Sequence, residues 1–439
     1  MNSIYNMLEK GKDIVNTRIE SDIQRNRKGN FELIFRDKDG NQVENIDVRI
    51  DLEKLDFNFG ANIFMLGEYD DKEKNKNYEK LFCNLFNSAT IPLYWEGTEP
   101  VKDYLRYDKG TKRDIYRRPP ASETVEFCKE NNIRMKGHPL FWHEFVPNWL
   151  PKNYQDLKPY IEKRFIEISE RYKDDIECFD VVNEPSRVYD VYMRDRSTGR
   201  AYILPEKDYC VWLFDLALKH FPSNKLIIND TVGASFTEFR GEYSGYYLNV
   251  KDLLSRGAKI DEIGLQCHCG EWGPENVYDA ERLCDVLDTY AALGRTINIS
   301  EISIPSKFDG EKDECLQSAL AEQLYKVCFS HESVSGITWW NMTDDGILTT
   351  KRVADNENMP STGLVDENYN PKLAYKVLDR LINKEWTTNI ELSSPAGNVK
   401  FNGFYGKYKL RIKYNDKIIE KNIKLTKNSS RIMNINIDE

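Results

Sequence analysis

The sequence predicts an α/β protein, a (β/α)8 TIM barrel with a small antiparallel β-domain built from the chain termini. Three observations predict it. Between residues 55 and 386, strand-like and helix-like segments alternate eight times, the pattern of a parallel sheet with crossover helices. The strand-like runs are almost continuously apolar, as strands covered on both faces are. After residue 387 the periodicity changes to short alternating strands. A doubly wound sheet would use five or six strands, so eight units favour a closed barrel. The chain length of 439 residues suits a barrel of roughly 250–350 residues plus an appendage.

Residues 1–54 read as a charged helix over 1–20 and a β-hairpin over 30–50, turning at Asp37-Lys38-Asp39-Gly40. Residues 55–386 read as the barrel, with strands at 57–63, 85–91, 134–140, 178–183, 225–229, 260–267, 296–301 and 336–342. Helical patterns separate them, at Tyr78–Phe86, Glu123–Asn131, Leu157–Tyr172, Asp208–Phe221, Tyr246–Arg256, Val277–Leu293 and Leu316–His331, and Pro371–Asn383 closes the series. Three strand-to-helix loops are long, at 98–120, 186–207 and 344–369, and loops of that length in a compact domain are usually functional. Residues 387–439 read as a small β-domain, expected to pack with the N-terminal hairpin because barrel termini lie close together. Its Phe401, Phe404 and Tyr405 are candidates for a carbohydrate-binding surface, against the plainer role of a structural cap.

Net charge is −10, with Lys and Arg dispersed along the chain. That excludes nucleic acid and an anionic membrane surface as expected partners. No stretch approaches the roughly 18 consecutive apolar residues of a membrane-spanning helix. Residues 1–15 have neither a continuous apolar core nor a small-residue cleavage site, so the expected location is cytoplasmic, or secreted if a leader has been removed. The nine cysteines are odd in number and many fall inside elements, which reads as small core residues in a reducing compartment. Cys267 and Cys269 flank His268, but strand alternation points both away from the histidine's face, and no metal is expected. No glycine-rich phosphate loop follows any strand, so no nucleotide cofactor is expected.

The chemistry is written at the strand ends. Strand four closes with Asp180-Val181-Val182-Asn183-Glu184 and strand seven with Ile299-Ser300-Glu301. In a barrel these tips share one face, where catalysis is done. Two carboxylates there suggest glycoside hydrolysis, in which one protonates the leaving oxygen and the other attacks the sugar or activates water. The other tips carry His138, Trp142 and His143 (strand three), Asn229-Asp230 (five), Gln266 and His268 (six) and Trp339-Trp340-Asn341 (eight). Aromatic faces for sugar C–H surfaces and amide or imidazole donors for hydroxyls are what an oligosaccharide or polysaccharide substrate needs. Each has an ordinary structural explanation alone; together they point to one cleft.

His138-Pro-Leu-Phe-Trp142-His143, Asp180-Val-Val-Asn183-Glu184, Leu226-Ile-Ile-Asn229-Asp230, Ile263-Gly-Leu-Gln266-Cys-His268, Ile299-Ser-Glu301, Ile337-Thr-Trp-Trp340 and the tail Leu364 to Tyr375 are similar to motifs of glycoside hydrolase family 10. The resemblance spans residues 55–386 and keeps motif order and spacing. It implies a retaining endo-β-1,4-xylanase-like enzyme without metal or cofactor. Carried over, Glu184 is the acid/base and Glu301 the nucleophile. Asn183 bonds the sugar 2-hydroxyl and His268 orients the nucleophile. His138, Trp142 and Gln266 surround the sugar that is cleaved, with Trp340 as its platform.

The departures lie in the sugar-gripping half. The family usually has a Glu-Asn-Glu-x-Lys-Trp run after strand two that holds sugars on the non-reducing side. Aligned on Trp95, which the resemblance makes a candidate substrate-binding residue, this chain has Thr90, Ile91 and Tyr94 in place of the Glu, the Asn and the Lys. Leu348 stands near where a further tryptophan is usual. The expectation is therefore a retaining β-glycoside hydrolase of xylanase type. The alternatives are an exo-acting enzyme on short or decorated oligosaccharides, and a non-catalytic carbohydrate-binding protein. Tyr104, Tyr107, Tyr116, Arg117, Arg118, Tyr189 and Tyr192, on the long loops, are expected to narrow the cleft.

Overall fold

A computed structural model describes residues 2–111, 115, 117–187, 201, 208–231, 233–269, 279–308, 311–344 and 361–437. The chain forms two compact units. The first comprises residues 1–12, 58–328 and 333–377, the second 13–57, 329–332 and 378–439. Among the described residues, no helix is long and apolar enough to cross a membrane.

The first unit is a closed barrel of eight parallel strands: Asn58–Asn62, Ser88–Pro92, Arg134–His138, Cys178–Asn183, Lys225–Asp230, Glu262–His268, Thr296–Ser303 and Val334–Trp339. They are numbered one to eight below. Each pairs with its successor, and strand eight returns to strand one through Gly336↔Asn58 and Trp339↔Ala61. Their side chains are buried almost throughout, which is why the sequence shows apolar runs instead of alternation. Helix starts follow local chemistry. The carboxylate of Asp71 accepts from Glu73 N, the amide oxygen of Asn153 from Gln155 N, and Asp279 from the N–H groups of Glu281 and Arg282. A two-residue strand, Phe141–Trp142, pairs with the end of strand four and sets Trp142 opposite Asn183.

One buried cation ties the loops on the functional face together. Arg164, in the helix Tyr154–Tyr172, donates to Leu140 O (2.9 Å), Pro139 O (3.2 Å), Thr98 Oγ1 (2.8 Å), Tyr107 Oη (3.4 Å) and Leu93 O. Its planar fork thus spans the loops after strands two and three. Burial pushes its pKa below the ordinary arginine value, yet a guanidinium starting so high stays charged.

In the second unit two sheets enclose a common core. Lys28–Arg36 lies between Asn398–Phe404, antiparallel to it, and Ile432–Asn436, parallel to it. Ile46–Leu55 lies between Asn389–Ser394 and Gly406–Tyr414, with Lys417–Leu425 beyond. Only the tip of the hairpin expected over 30–50 forms, with the turn at 37–40, an antiparallel Arg36↔Gln42 bridge and a bond from Val43 N to Phe35 O (3.1 Å); beyond it the two strands enter different sheets. Both present alternate residues to the core (Phe31, Leu33, Phe35 and Ile46, Val48, Ile50), so periodicity alone fits either arrangement. The connection 37–45 crosses between the sheets, and Asn45 takes a φ of 57° as it enters the second. The N-terminal helix also outruns its expected end: Asn2–Ile14 continues through a wider turn, Val15–Ile19, into Glu20–Arg27. Phe401, Phe404 and Tyr405 are buried in this unit, so they form no exposed sugar platform.

The five acceptors around Arg164 yield a stability prediction. Arg164→Ala strands them in the interior and should lower the unfolding free energy by about 3 kcal/mol or more. Arg164→Lys restores the charge without the fork and should recover less than half of that loss in denaturant titrations.

Candidate active site

The two glutamates converge at the C-terminal mouth of the barrel. The strands that carry them are irregular where it matters. Strand seven shifts register against strand six between Ile299 and Glu301, and strand four shifts against strand five between Asp180 and Val182. Such bulges re-aim side chains beside functional sites. Glu184 itself has a φ of 52°, a left-handed backbone that a glutamate adopts only when its surroundings impose it. Glu184 N donates to Asn229 O (2.8 Å), and both the N–H and the hydroxyl of Ser186 donate to Asp230 Oδ2 (3.1 and 2.6 Å). The end of strand five therefore clamps the turn that presents Glu184.

A single amide joins the pair. Gln266 Nε2 donates to Glu184 Oε1 (3.1 Å) and to Glu301 Oε1 (3.0 Å). Those two oxygens are then no farther apart than about 6 Å, and about 5.3 Å if each N–H of the trigonal nitrogen serves one of them. Retaining glycosidases hold their carboxyl groups about 5–5.5 Å apart, whereas inverting ones leave about 6.5–9.5 Å for a water.

Glu301 has further partners. Asn229 Nδ2 donates to Glu301 Oε1 (3.0 Å) and to Asn183 Oδ1 (2.8 Å), while Ser300 Oγ donates to Asn229 Oδ1 (2.5 Å). Gly264 makes room for that amide, because a Cβ there would lie 2.4 Å from Asn229 Oδ1. His268 Nε2 lies 3.1 Å from Glu301 Oε2, and its Nδ1 lies 2.9 Å from Ser303 Oγ. An ionised carboxylate only accepts, so Nε2 carries the proton toward Glu301; in the neutral ring Nδ1 then accepts from the Ser303 hydroxyl.

One layer below is a buried charged triad. Asp180 Oδ2 lies 2.6 Å from His138 Nδ1 and 3.1 Å from Lys136 Nζ. Burial alone would raise the Asp180 pKa, but the Lys136 ammonium and the His138 bond outweigh it and hold the carboxyl below its ordinary value. Burial alone would likewise lower Lys136, yet the charges of Asp180 and Glu301 leave it raised. Lys136 had a legible signal: two positions before His138, it shares that residue's face of strand three.

Beside the glutamates lies an aromatic cluster of Phe64, Tyr94, Phe145 and Trp340, with Trp142 packed against it. Tyr94 meets Phe64 and Phe145 edge-on at 5.6 Å and His138 at 5.5 Å. Trp340 lies 5.4 Å from both Phe64 and His138 and 6.4 Å from His268. Phe64 and Phe145 escaped the sequence reading because a phenylalanine at a strand end looks like any core residue.

Of the expected site residues, Asn183, Glu184, Gln266, His268 and Glu301 form one hydrogen-bonded network. His138, Trp142 and Trp340 stand in or against the aromatic cluster. His143 is buried with its ring 6.4 Å from that of Trp142. Trp95 is buried, its ring faces the Arg164 guanidinium at 5.3 Å, its indole donates to Glu99 Oε2 (3.3 Å), and it lines a small cavity together with Tyr94 and Trp142. Cys267 and Cys269 place their sulfurs 3.7 Å apart and buried. Tyr116, Tyr189, Tyr192 and Leu348 lie outside the described residues.

Asp180 gives a pH prediction. A carboxyl whose folded-state pKa is depressed contributes stability above its unfolded value, near 3.8, and that contribution disappears as pH falls through the lower folded value. Asp180→Asn should lower stability at neutral pH, and its acid limb should be flatter than the native protein's. Thermal melts from pH 7 to pH 2.5 measure both; parallel limbs would show that the triad does not set acid stability.

The sequence profile of Glycosyl hydrolase family 10 matches residues 44–380. Anti-sigma-I factor RsgI6 of Acetivibrio thermocellus is 27% identical over 394 residues, covering 88% of this chain, and the chain spans only 45% of that protein's length. Endo-1,4-beta-xylanase B of Thermotoga neapolitana is 25% identical over 354 residues, covering 78% of this chain and 93% of the xylanase. Among solved structures, xylanase 10B from Thermotoga petrophila in complex with xylobiose superposes with a TM-score of 0.59 at 25% identity, covering 75% of this chain and 95% of that one. The profile covers most of the chain, the barrel is the one those structures share, and the chain belongs to glycosyl hydrolase family 10.

Proposed function

We propose that the chain is a retaining β-glycoside hydrolase acting on xylose-based oligosaccharide or polysaccharide by double displacement. The observation that carries the reading is the Gln266 amide shared by Glu184 and Glu301, which keeps the two carboxyl groups at retaining distance. Glu301 attacks the anomeric carbon as the glycosidic C–O bond breaks and the proton of Glu184 passes to the leaving oxygen. Glu184 then takes a proton from water, whose oxygen displaces Glu301 from the sugar. The bonds from Gln266, Asn229 and His268 support Glu301 as the group that is ionised before attack. Asn183 accepts through its oxygen from Asn229, which turns its N–H donors toward a sugar hydroxyl. Retention of the pair together with His268 weighs against a purely binding role. The xylobiose bound to the Thermotoga petrophila relative supports the substrate class.

A second reading, exo-action on short or decorated chains, is favoured by one observation. Thr90, Ile91 and Tyr94, which replace the usual sugar-gripping residues, are all buried. Linear xylan should then be a poor substrate beside aryl β-xylosides, and xylanase-level release of internal fragments would count for endo-action.

Glu301→Ala should abolish turnover of every substrate. Glu184→Ala should slow substrates with poor leaving groups by about a hundredfold or more while sparing activated aryl glycosides, and azide should restore part of the loss. The first product, followed by NMR, should keep its anomeric configuration; an inverted product would overturn the assignment. His268→Ala should slow glycosylation by about tenfold or more, and an unchanged kcat would remove its orienting role.

A further inference from the structure

We propose that Arg118, seated on the ring of Tyr94, closes the site one sugar beyond the cleavage point and so limits the glycone to a single residue. The inference rests on the proposed glycosidase reading and names the residue that sets its chain-length preference.

The Arg118 guanidinium lies 3.7 Å from the centre of the Tyr94 ring, 5.4 Å from that of Phe64 and 5.8 Å from that of Phe145. A planar cation stacked on an aromatic face at that distance is held by charge–quadrupole attraction and dispersion together. The stem is held too. Gly97 lies against it so closely that a Cβ there would stand 3.0–3.2 Å from the Cβ, Cγ and Cδ of Arg118. Arg118 Nη1 donates to Arg117 O (3.0 Å), and Arg106 Nη2 reaches Arg118 O (3.4 Å). The neighbouring Arg117 reaches Asn341 Oδ1 on the far side (2.8 Å), and its guanidinium lies 5.8 Å from the Phe64 ring centre. Arg118 is only 6% exposed and Tyr94 2%.

Among the described residues, two cavities beside these side chains are small. The cavity behind Tyr94, lined also by Trp142, Phe145 and Arg164, measures about 10 Å³. The one beside Arg117 and Asn341 measures about 10 Å³ as well. Each has room for one water and none for a pyranose ring.

The direction follows from the order of the barrel strands. Glu184, which protonates the leaving oxygen, ends strand four, so the departing sugars lie toward strands four and five. The ring that stays on Glu301 points the opposite way, toward strands eight, one and two. Phe64 follows strand one, Tyr94 follows strand two and Trp340 follows strand eight, so the plug stands where a second glycone sugar would go.

The test compares aryl β-xyloside with aryl β-xylobioside. In the native protein the second glycone sugar should lower kcat/KM for release of the aryl group. Arg118→Ala should raise the xylobioside-to-xyloside ratio of kcat/KM by about tenfold or more, the size of one or two recovered hydroxyl contacts. Tyr94→Leu, which removes the aromatic seat, leaves the arginine and adds no group that bonds a sugar hydroxyl, should move the ratio the same way. It serves as the second variant if Arg118→Ala melts early by circular dichroism. A ratio unchanged within about twofold in both variants, or a native protein that already prefers xylobioside, overturns the proposal. Calorimetry in the Glu301→Ala background separates this from failure of the glycosidase reading, since it needs no turnover. There xylose and xylobiose should bind alike, and adding Arg118→Ala should make xylobiose the tighter ligand. If they bind alike in that double variant too, the plug is not the limit, whether or not the native protein hydrolyses anything.

Discussion

Two carboxylates held within about 6 Å of each other and largely out of water repel. With both ionised, an effective dielectric near 20 makes the cost about 3 kcal/mol. The site is arranged around that cost. Nearly every donor that meets Glu301 is neutral: the amides of Gln266 and Asn229, and an imidazole that needs no charge to donate from Nε2. Hydrogen bonds to a charged acceptor contribute about 1.5–3 kcal/mol each, so three of them exceed the repulsion. The compensating cation, Lys136, sits a layer below, tied to Asp180, where it feels Glu301 without touching it. Under the proposed mechanism, an ammonium at bonding distance would hold Glu301 back as a nucleophile, whereas these donors and one more distant charge stabilise its anion and leave it free to attack.

That arrangement requires precise aim, and the aim comes from departures from ideal barrel geometry. A regular strand would point successive side chains alternately in and out, and the glutamates would face wherever that alternation sent them. The register shifts on strands four and seven, with the left-handed backbone at Glu184, turn both carboxylates inward. Asp230 and Asn229 hold the first turn in place through Ser186 and the main chain of Glu184. Strand five thus carries neither glutamate and yet holds the turn that presents Glu184.

The barrel and the meeting of the two glutamates were legible because they obey local rules. Eight apolar runs end in polar residues, and each end falls on the same face whatever the loops do. What was not legible depends on which distant group a residue meets. The segments 28–36 and 46–55 alternate as a hairpin would, and nothing local says that one pairs with Asn398–Phe404 and the other with Gly406–Tyr414. Arg164, flanked by Lys163, Glu162 and Glu167, looks like part of a solvated helix face, yet it is buried and bonded to the loops after strands two and three. Nothing local to Trp95 signals that this arginine lies over its ring. Arg118 was expected to supply contacts along the cleft. Its stacking on Tyr94 could be seen only once both were placed in three dimensions.

The second unit draws its strands from both sides of the barrel in sequence: Lys28–Arg36 and Ile46–Leu55 come before it, and five more strands come after residue 388. During synthesis the first two strands leave the ribosome with no partners and wait while more than 300 residues are added, which at about 5–20 residues per second is a delay of tens of seconds. For that interval two strands with alternating apolar faces and open edges are exposed, the condition under which chains pair with the wrong partner. The positions that alternate with the core-facing ones are heavily charged, with Lys28, Glu32 and Arg36 on one strand and Asp47, Arg49, Asp51 and Glu53 on the other. Such charges discourage mispairing until the last strands arrive, and they give a role during synthesis to residues with no part in the finished core.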